Sequence, residues 1–99
     1  MRPALLLATA LAAAPALTHA EELPPGAQLA ASCAMCHGTG GRSAGGNESL
    51  AGMPKAELER KLDQFRSGVK PATVMHQIAK GYSEAQVKLI AEYFSAQKK

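Results

Sequence analysis

The chain has 99 residues, of which 46% are hydrophobic, and a formal net charge of +3. This length supports one domain at most. The charge is small and no basic cluster is interleaved with aromatic residues, which argues against a nucleic-acid-binding protein. The mixed charges of the second half are expected on solvated helix faces with local ion pairs.

The first twenty residues have the composition of an export signal. Arg2 provides a positive start, residues 4–17 are an almost unbroken Ala/Leu stretch, and small residues precede a cleavage point after Ala20. We expect residues 1–20 to be a cleaved signal peptide and residues 21–99 to be the mature domain, exported to the periplasm. A retained membrane anchor is disfavoured, because the apolar stretch is shorter than the about 20 residues of a membrane span. No stable membrane span is expected after cleavage.

A mature domain of residues 21–99 is too small to rely on a hydrophobic core alone. Such a core supplies only about 3–5 kcal/mol, so a disulfide, a metal or a large buried cofactor is needed. The sequence should therefore contain the means to bind one of these.

The mature domain begins with a predicted short helix and a long loop. Pro24-Pro25-Gly26 precedes residues 27–32, which are largely good helix formers and run into Cys33. Residues 38–52 contain six glycines together with Ser, Thr and Asn. That composition predicts a loop rather than regular structure.

An amphipathic helix is predicted from Pro54 to Ser67. Leu58, Leu62 and Phe65 recur at i, i+4 and i+7 on one face. Pro54 suits a first helical position, and Gly68 predicts the end of the helix.

A short connection and a last helix complete the predicted fold. One helical turn is predicted at residues 75–80, and Ser83 with Gln86 forms a capping box for a helix that runs to the chain end. The apolar positions of this helix recur with helical spacing: Val87, Ile90, Ala91 and Phe94. No segment alternates like a half-buried strand, so the fold class is all-α, with three to four helices and long loops.

The segment Cys33-Ala34-Met35-Cys36-His37 has the spacing of c-type haem attachment. Both thiols form thioethers with the haem vinyl groups, and the adjacent imidazole binds iron. Two intervening residues let one turn of chain present both sulfurs along one haem edge. One covalent haem c would also supply the core that this small domain lacks, so we expect a largely unfolded chain without it.

Three other interpretations of the two cysteines are weaker. A thioredoxin-like redox pair needs a βαβ context that the sequence lacks. A zinc site would need His37 and a further ligand such as His76, and there is no second cysteine pair. A disulfide between Cys33 and Cys36 would close almost no loop and would stabilise the fold little.

The sixth iron ligand must come from Met35, Met53, Met75 or His76. Met35 lies inside the attachment turn and is excluded by geometry, and Met53 is expected to pack in the core at the start of the predicted helix. A thioether from Met75 would stabilise ferrous iron and raise the reduction potential. A lone methionine is also an ordinary core residue, and His76 stays its rival as the ligand.

The mature chain resembles class I cytochromes c over nearly its whole length, and one half of the periplasmic di-haem cytochromes c in particular. The segments that carry this resemblance are Gly26 seven positions before Cys33, Cys33 to Gly38, Leu50-Ala51-Gly52, Phe65-Arg66-Ser67-Gly68 and Tyr93-Phe94. Thr73-Val74-Met75 and Ile78-Ala79-Lys80-Gly81-Tyr82-Ser83 resemble more closely the haem subunit of flavocytochrome c sulfide dehydrogenase.

This resemblance implies a class I cytochrome c fold around one covalent haem, with Met75 as the sixth ligand. It also implies that the first and last helices cross near Tyr93 or Phe94. Class I cytochromes usually have a proline after the haem motif whose carbonyl region orients the proximal histidine. Residues 38–53 contain none, although a glycine carbonyl can serve in that role. His76 stands where a small residue is more usual, which leaves bis-histidine ligation open.

The resemblance implies an electron-transfer protein with no catalytic chemistry of its own. Its partner would be an FAD-containing flavoprotein that oxidises sulfide and passes electrons to the haem subunit. Two alternatives stay open: a free soluble shuttle to an oxidase or reductase, and a haem sensor or haem enzyme with a displaceable methionine.

Overall fold

A computed structural model describes residues 3–4 and 22–99 of the chain. Apart from residues 3–4, the expected signal peptide and its cleavage point lie outside the described residues. Regular structure in the described part is entirely helical, which confirms the all-α fold class. None of the helices found there has the length and apolar character needed to cross a membrane.

The helices follow the predicted order along the chain. A continuous helical stretch leads through the cysteine motif, a long loop follows, and three helices complete the domain. These elements are α1 (Ala27–Ala30), a 3-10 turn (Ala31–Cys33), α2 (Ala34–His37), a second 3-10 turn (Thr39–Gly41), α3 (Lys55–Ser67), α4 (Met75–Lys80) and α5 (Glu84–Ser95).

Two helix boundaries differ from the prediction. Pro54 caps α3 instead of occupying its first turn, because its ψ of 136° is extended rather than helical. Helix α5 ends at Ser95 and does not reach the chain end. The Phe94 carbonyl accepts the N–H groups of Gly52 at 2.9 Å and Gln97 at 3.1 Å. These bonds replace the i to i+4 bond that would extend the helix.

Helix α5 begins at the predicted capping box and supplies much of the core. The Ser83 hydroxyl accepts the Gln86 N–H at 3.2 Å, and the Gln86 side chain accepts the Ser83 N–H at 2.9 Å. All four predicted apolar positions of α5 are buried: Val87, Ile90, Ala91 and Phe94. Three of them join Ala30, Met53 and Leu58 in one buried cluster.

Helices α1 and α5 pack against each other, as the resemblance implied. Gly26, just before α1, has a φ of 84°, and a Cβ there would overlap the Leu89 carbonyl. Only glycine permits this approach, because it tolerates positive φ and has no side chain. Further along, Ala30 of α1 shares the buried cluster with Phe94, and Tyr93 packs against that cluster.

The predicted apolar face of α3 is only partly buried. Leu58 is 3% exposed, whereas Leu62 and Phe65 are half-buried. Helix α4 packs on α3 but has only six residues, so it covers only part of this face. Near the end of α3, the Lys70 ammonium lies 5.0 Å from the centre of the Phe65 ring.

Candidate functional site

The cysteine motif forms one helical turn that brings both predicted attachment residues and the predicted proximal ligand together. Cys33 ends a 3-10 turn, and Cys36 and His37 end α2. Both cysteines are free thiols; Cys33 is half-buried and Cys36 is exposed. Met35, between them, is 90% exposed. The turn thus presents two thiols separated by two residues, with an imidazole directly after them.

The two thiols have different surroundings. Burial raises the pKa of the Cys33 thiol, and the neighbouring Cys36 adds to the rise, while hydrogen bonding from Ser32 partly offsets it. The rise follows from the partly buried position of Cys33, because burial disfavours the charged thiolate.

The His37 imidazole is oriented by a backbone carbonyl. Its Nδ1 lies 2.6 Å from the Glu48 carbonyl oxygen. Since a carbonyl can only accept, Nδ1 carries the proton and Nε2 keeps the lone pair that binds a metal. A second hydrogen bond of this kind is the usual way in which a metal-binding histidine is held in orientation and tautomer.

The carbonyl that holds His37 belongs to Glu48, not to one of the loop's glycines. The glycines of the loop serve its turns instead, and the Gly41 carbonyl accepts the N–H groups of Leu50 at 2.7 Å and Ala51 at 3.1 Å. These bonds close the base of the loop and place Glu48 within it beside the imidazole.

Side-chain hydrogen bonds stabilise the same loop, both within it and to the cysteine turn. The Asn47 amide donates to the Cys36 carbonyl at 2.9 Å, and the Ser43 N–H donates to the Ser49 hydroxyl at 2.9 Å. The first bond joins the loop directly to the turn that carries both thiols.

An ion pair ties the loop to α3. The Lys61 ammonium donates to Glu48 Oε1 at 2.5 Å and lies 3.6 Å from Glu57 Oε1. The pKa of Lys61 is raised, chiefly by the hydrogen bond to Glu48. Helical spacing in the sequence predicts the ion pair between Lys61 and Glu57, which lies four residues earlier. It cannot predict the ion pair with Glu48, because Glu48 lies in a loop.

The two candidates for the sixth ligand that the sequence left open begin α4. Met75 and His76 are both half-buried. The His76 Nδ1 is buried and has no hydrogen-bond partner among the described residues. Met53 is 7% exposed and belongs to the core cluster, which confirms its predicted packing role.

Tyr82 links the segment after α4 to the segment before Cys33. Its hydroxyl lies 3.2 Å from the Ser32 hydroxyl and 3.4 Å from the Leu29 carbonyl. Arg66 of α3 donates to the Tyr82 carbonyl at 3.2 Å. Tyr82 therefore joins the chain just after α4 to the segment just before Cys33 and to α3.

Residues 22–99 contain no group of three or more His, Cys, Asp or Glu side chains placed to hold a metal ion.

The motif geometry agrees with the comparison to known proteins. The family described as Cytochrome c matches residues 23–98 of the chain. The chain belongs to the cytochrome c family. Covalent haem c is the cofactor of this family, and the cysteine turn has the side chains needed to attach haem and bind its iron. Cys33 and Cys36 offer two free thiols at the attachment spacing, and His37 offers an imidazole whose Nδ1 donates to a carbonyl, which leaves Nε2 as the atom for iron.

Several relatives share this domain with the cytochrome. The cytochrome subunit of sulfide dehydrogenase of Chlorobaculum tepidum is 44% identical over 66 residues, covering 67% of this chain and 60% of that protein. The thiosulfate dehydrogenase electron acceptor of Thiomonas intermedia is 44% identical over 68 residues, covering 67% and 31%. Cytochrome c-553 of Helicobacter pylori is 36% identical over 67 residues, covering 66% and 70%. The cytochrome thus spans less than two thirds of the first two relatives.

Proposed function

We propose that this cytochrome carries single electrons through one haem, attached at Cys33 and Cys36 and ligated by His37 and Met75. The observation that carries the proposal is the hydrogen bond from His37 Nδ1 to the Glu48 carbonyl. It leaves Nε2 available for iron on the turn that holds both thiols. Bound haem supplies a one-electron redox centre, and the chain attaches it, orients its proximal ligand and limits its access to water.

Met75 is proposed as the sixth ligand because its two methionine rivals have other positions. Met53 is buried in the core and Met35 is 90% exposed within the attachment turn. Met75 is half-buried at the first residue of α4, in the segment that resembles the axial-methionine segment of the haem subunit of flavocytochrome c sulfide dehydrogenase. A thioether at this position favours ferrous iron.

Substitution of Met75 and His76 tests the ligand assignment. Met75→Ala should lower the reduction potential and let carbon monoxide bind the ferrous protein, since iron loses a thioether and gains an open position. His76→Ala is the matched control and should keep the native low-spin spectrum. An unchanged potential in Met75→Ala would remove Met75 from the ligand role, and loss of the spectrum in His76→Ala would assign it to His76.

The proposed electron donor is an FAD-containing flavoprotein that oxidises sulfide. Support comes from the resemblance of residues 73–83 to the haem subunit of such enzymes and from the name of the Chlorobaculum relative. Gentle purification of the native protein tests it, because stoichiometric flavin absorbance should accompany the haem bands.

A free electron shuttle is the second candidate. The Thiomonas relative, named as an electron acceptor of thiosulfate dehydrogenase, favours it. Haem without flavin, and a monomer in gel filtration, would support this candidate over the flavoprotein subunit. Carbon monoxide binding to the unaltered ferrous protein at neutral pH would instead indicate a sensor or enzyme with a displaceable methionine.

The site of function is proposed to be the periplasm, with residues 1–20 removed during export. The support is the composition of this segment: a basic start, an apolar stretch and small residues before Ala20. The intact mass of the protein recovered from the periplasmic fraction should correspond to residues 21–99 with one haem. A mass that includes residues 1–20 would contradict the proposed cleavage.

A further inference from the structure

A chain of contacts leads from α3 to the imidazole of His37. The Lys61 ammonium binds Glu48 Oε1 at 2.5 Å, and the carbonyl of the same Glu48 binds His37 Nδ1 at 2.6 Å. We propose that Lys61 is a positioning residue for His37, because it fixes the one residue whose backbone orients the proximal imidazole. This role rests on the proposed ligation of iron by His37.

The loop needs such a clamp because little else holds it near Glu48. Residues 44–49 are all exposed, so packing restrains their side chains little. Residues 38–53 contain no proline to fix a backbone angle. Hydrogen bonds within the loop join Asn47 to Gly45, and Ser43 to Gly45 and Ser49. Apart from the His37 bond itself, the side-chain contacts that tie the loop near Glu48 to other elements are the bond from Asn47 to the Cys36 carbonyl and the Lys61 ion pair.

Lys61 is well placed to act as an anchor. It lies within the 13-residue helix α3, and its side chain is only 19% exposed, whereas Glu48 is 53% exposed. The Lys61 side chain, largely covered and carried by a regular helix, therefore restrains the more exposed Glu48 side chain of the loop. Glu57 lies 3.6 Å from the ammonium, one turn away on the same helix, and makes no contact with the loop through this pair.

The clamp would act on the redox centre through the strength of the Nδ1–H bond. A hydrogen bond from a ligand imidazole to a carbonyl fixes the ring and increases its basicity. A more basic imidazole stabilises ferric iron over ferrous iron. Loss of the ion pair between Lys61 and Glu48 would let the Glu48 backbone move. The hydrogen bond from His37 Nδ1 should then weaken, and water should reach the Nδ1 proton more often.

The test measures solvent exchange of the His37 Nδ1 proton by NMR in the haem-loaded protein. Lys61→Met keeps a long apolar stem and good helix propensity. We expect Lys61→Met to speed exchange about two- to fivefold. This factor is the increase in the population with a broken Nδ1–H bond that corresponds to the loss of one partly exposed ion pair. Lys61→Arg should restore the slow rate, and Glu48→Ala should speed exchange like Lys61→Met although it leaves the carbonyl in place.

Glu57→Ala is the matched control, because it removes an equal charge beside the same lysine without touching the loop. It should leave the exchange rate near the native value. The double variant of Lys61→Met and Glu48→Ala should exchange no faster than either single variant, since both changes remove one contact.

Two results would overturn the positioning role while the low-spin spectrum stays native. One is native exchange in Lys61→Met, and the other is equal acceleration in Glu57→Ala. If the His37 ring resonances do not move when the iron changes oxidation state, His37 is not the ligand. That separate outcome refutes the proposed function, and the positioning role with it.

Discussion

Gly41 packs against the core at the base of the loop that carries Glu48. Its φ is 81°, and a Cβ there would lie 2.8 Å from Phe94 Cδ1 and 3.0 Å from the Ala51 nitrogen. Phe94 is 1% exposed, so its ring has little room to move away. Gly41→Ala should therefore strain the backbone and the core at one place.

The expected loss of stability has two parts. A non-glycine residue in the left-handed region costs about 1–2 kcal/mol. Overpacking a buried site by one methyl group costs about 1–3 kcal/mol. The free energy of unfolding should then fall by about 2–5 kcal/mol, which corresponds to a melting temperature at least about 8 °C lower for a domain of this size.

Denaturant unfolding of the haem-loaded protein, followed by far-ultraviolet circular dichroism, measures this change. Gly45→Ala is the matched control in the same loop, because its φ is not positive and a Cβ would have no atom within 4 Å. Gly45→Ala should unfold at nearly the native midpoint. Equal midpoints for the two variants would refute the packing argument at Gly41.

Three further predictions concern stability. The haem-free chain should show no cooperative thermal transition, since its core is too small without the cofactor; a sharp native-like transition would contradict this. Ser83→Ala should lower the free energy of unfolding by about 1 kcal/mol, measured with denaturant, because it removes the capping box of α5. Folding raises the pKa of Lys61. The contribution of Lys61 to stability is therefore complete below its pKa in the unfolded chain, about 10.4, and is lost as the pH rises through its pKa in the folded protein. The stability difference between native protein and Lys61→Met should accordingly shrink only above about pH 10.4.

The helices could be predicted because their signals are local. The capping box at Ser83 and the apolar spacing from Val87 to Phe94 lie within a few turns of chain. Both features form as the sequence predicted. The attachment turn was predictable for the same reason, because its residues are neighbours in the sequence.

The features that could not be predicted from the sequence depend on contacts between segments that are distant along the chain. Helix α5 ends early because Gly52 donates to the Phe94 carbonyl. The imidazole of His37 is held by the Glu48 carbonyl, and every residue has a carbonyl, so residue type could not identify the partner. The path of a glycine-rich loop, which decides both contacts, is set by tertiary packing.

The most direct test of the central claim is the NMR spectrum of the ferrous protein with labelled methionine methyl groups. A methyl group held against one face of the haem ring is shifted strongly upfield by the ring current. Ligation by Met75 predicts one such resonance, which disappears in Met75→Leu and persists in Met53→Leu. A shifted methyl that survives in Met75→Leu, or no shifted methyl in the native protein, would contradict ligation by Met75.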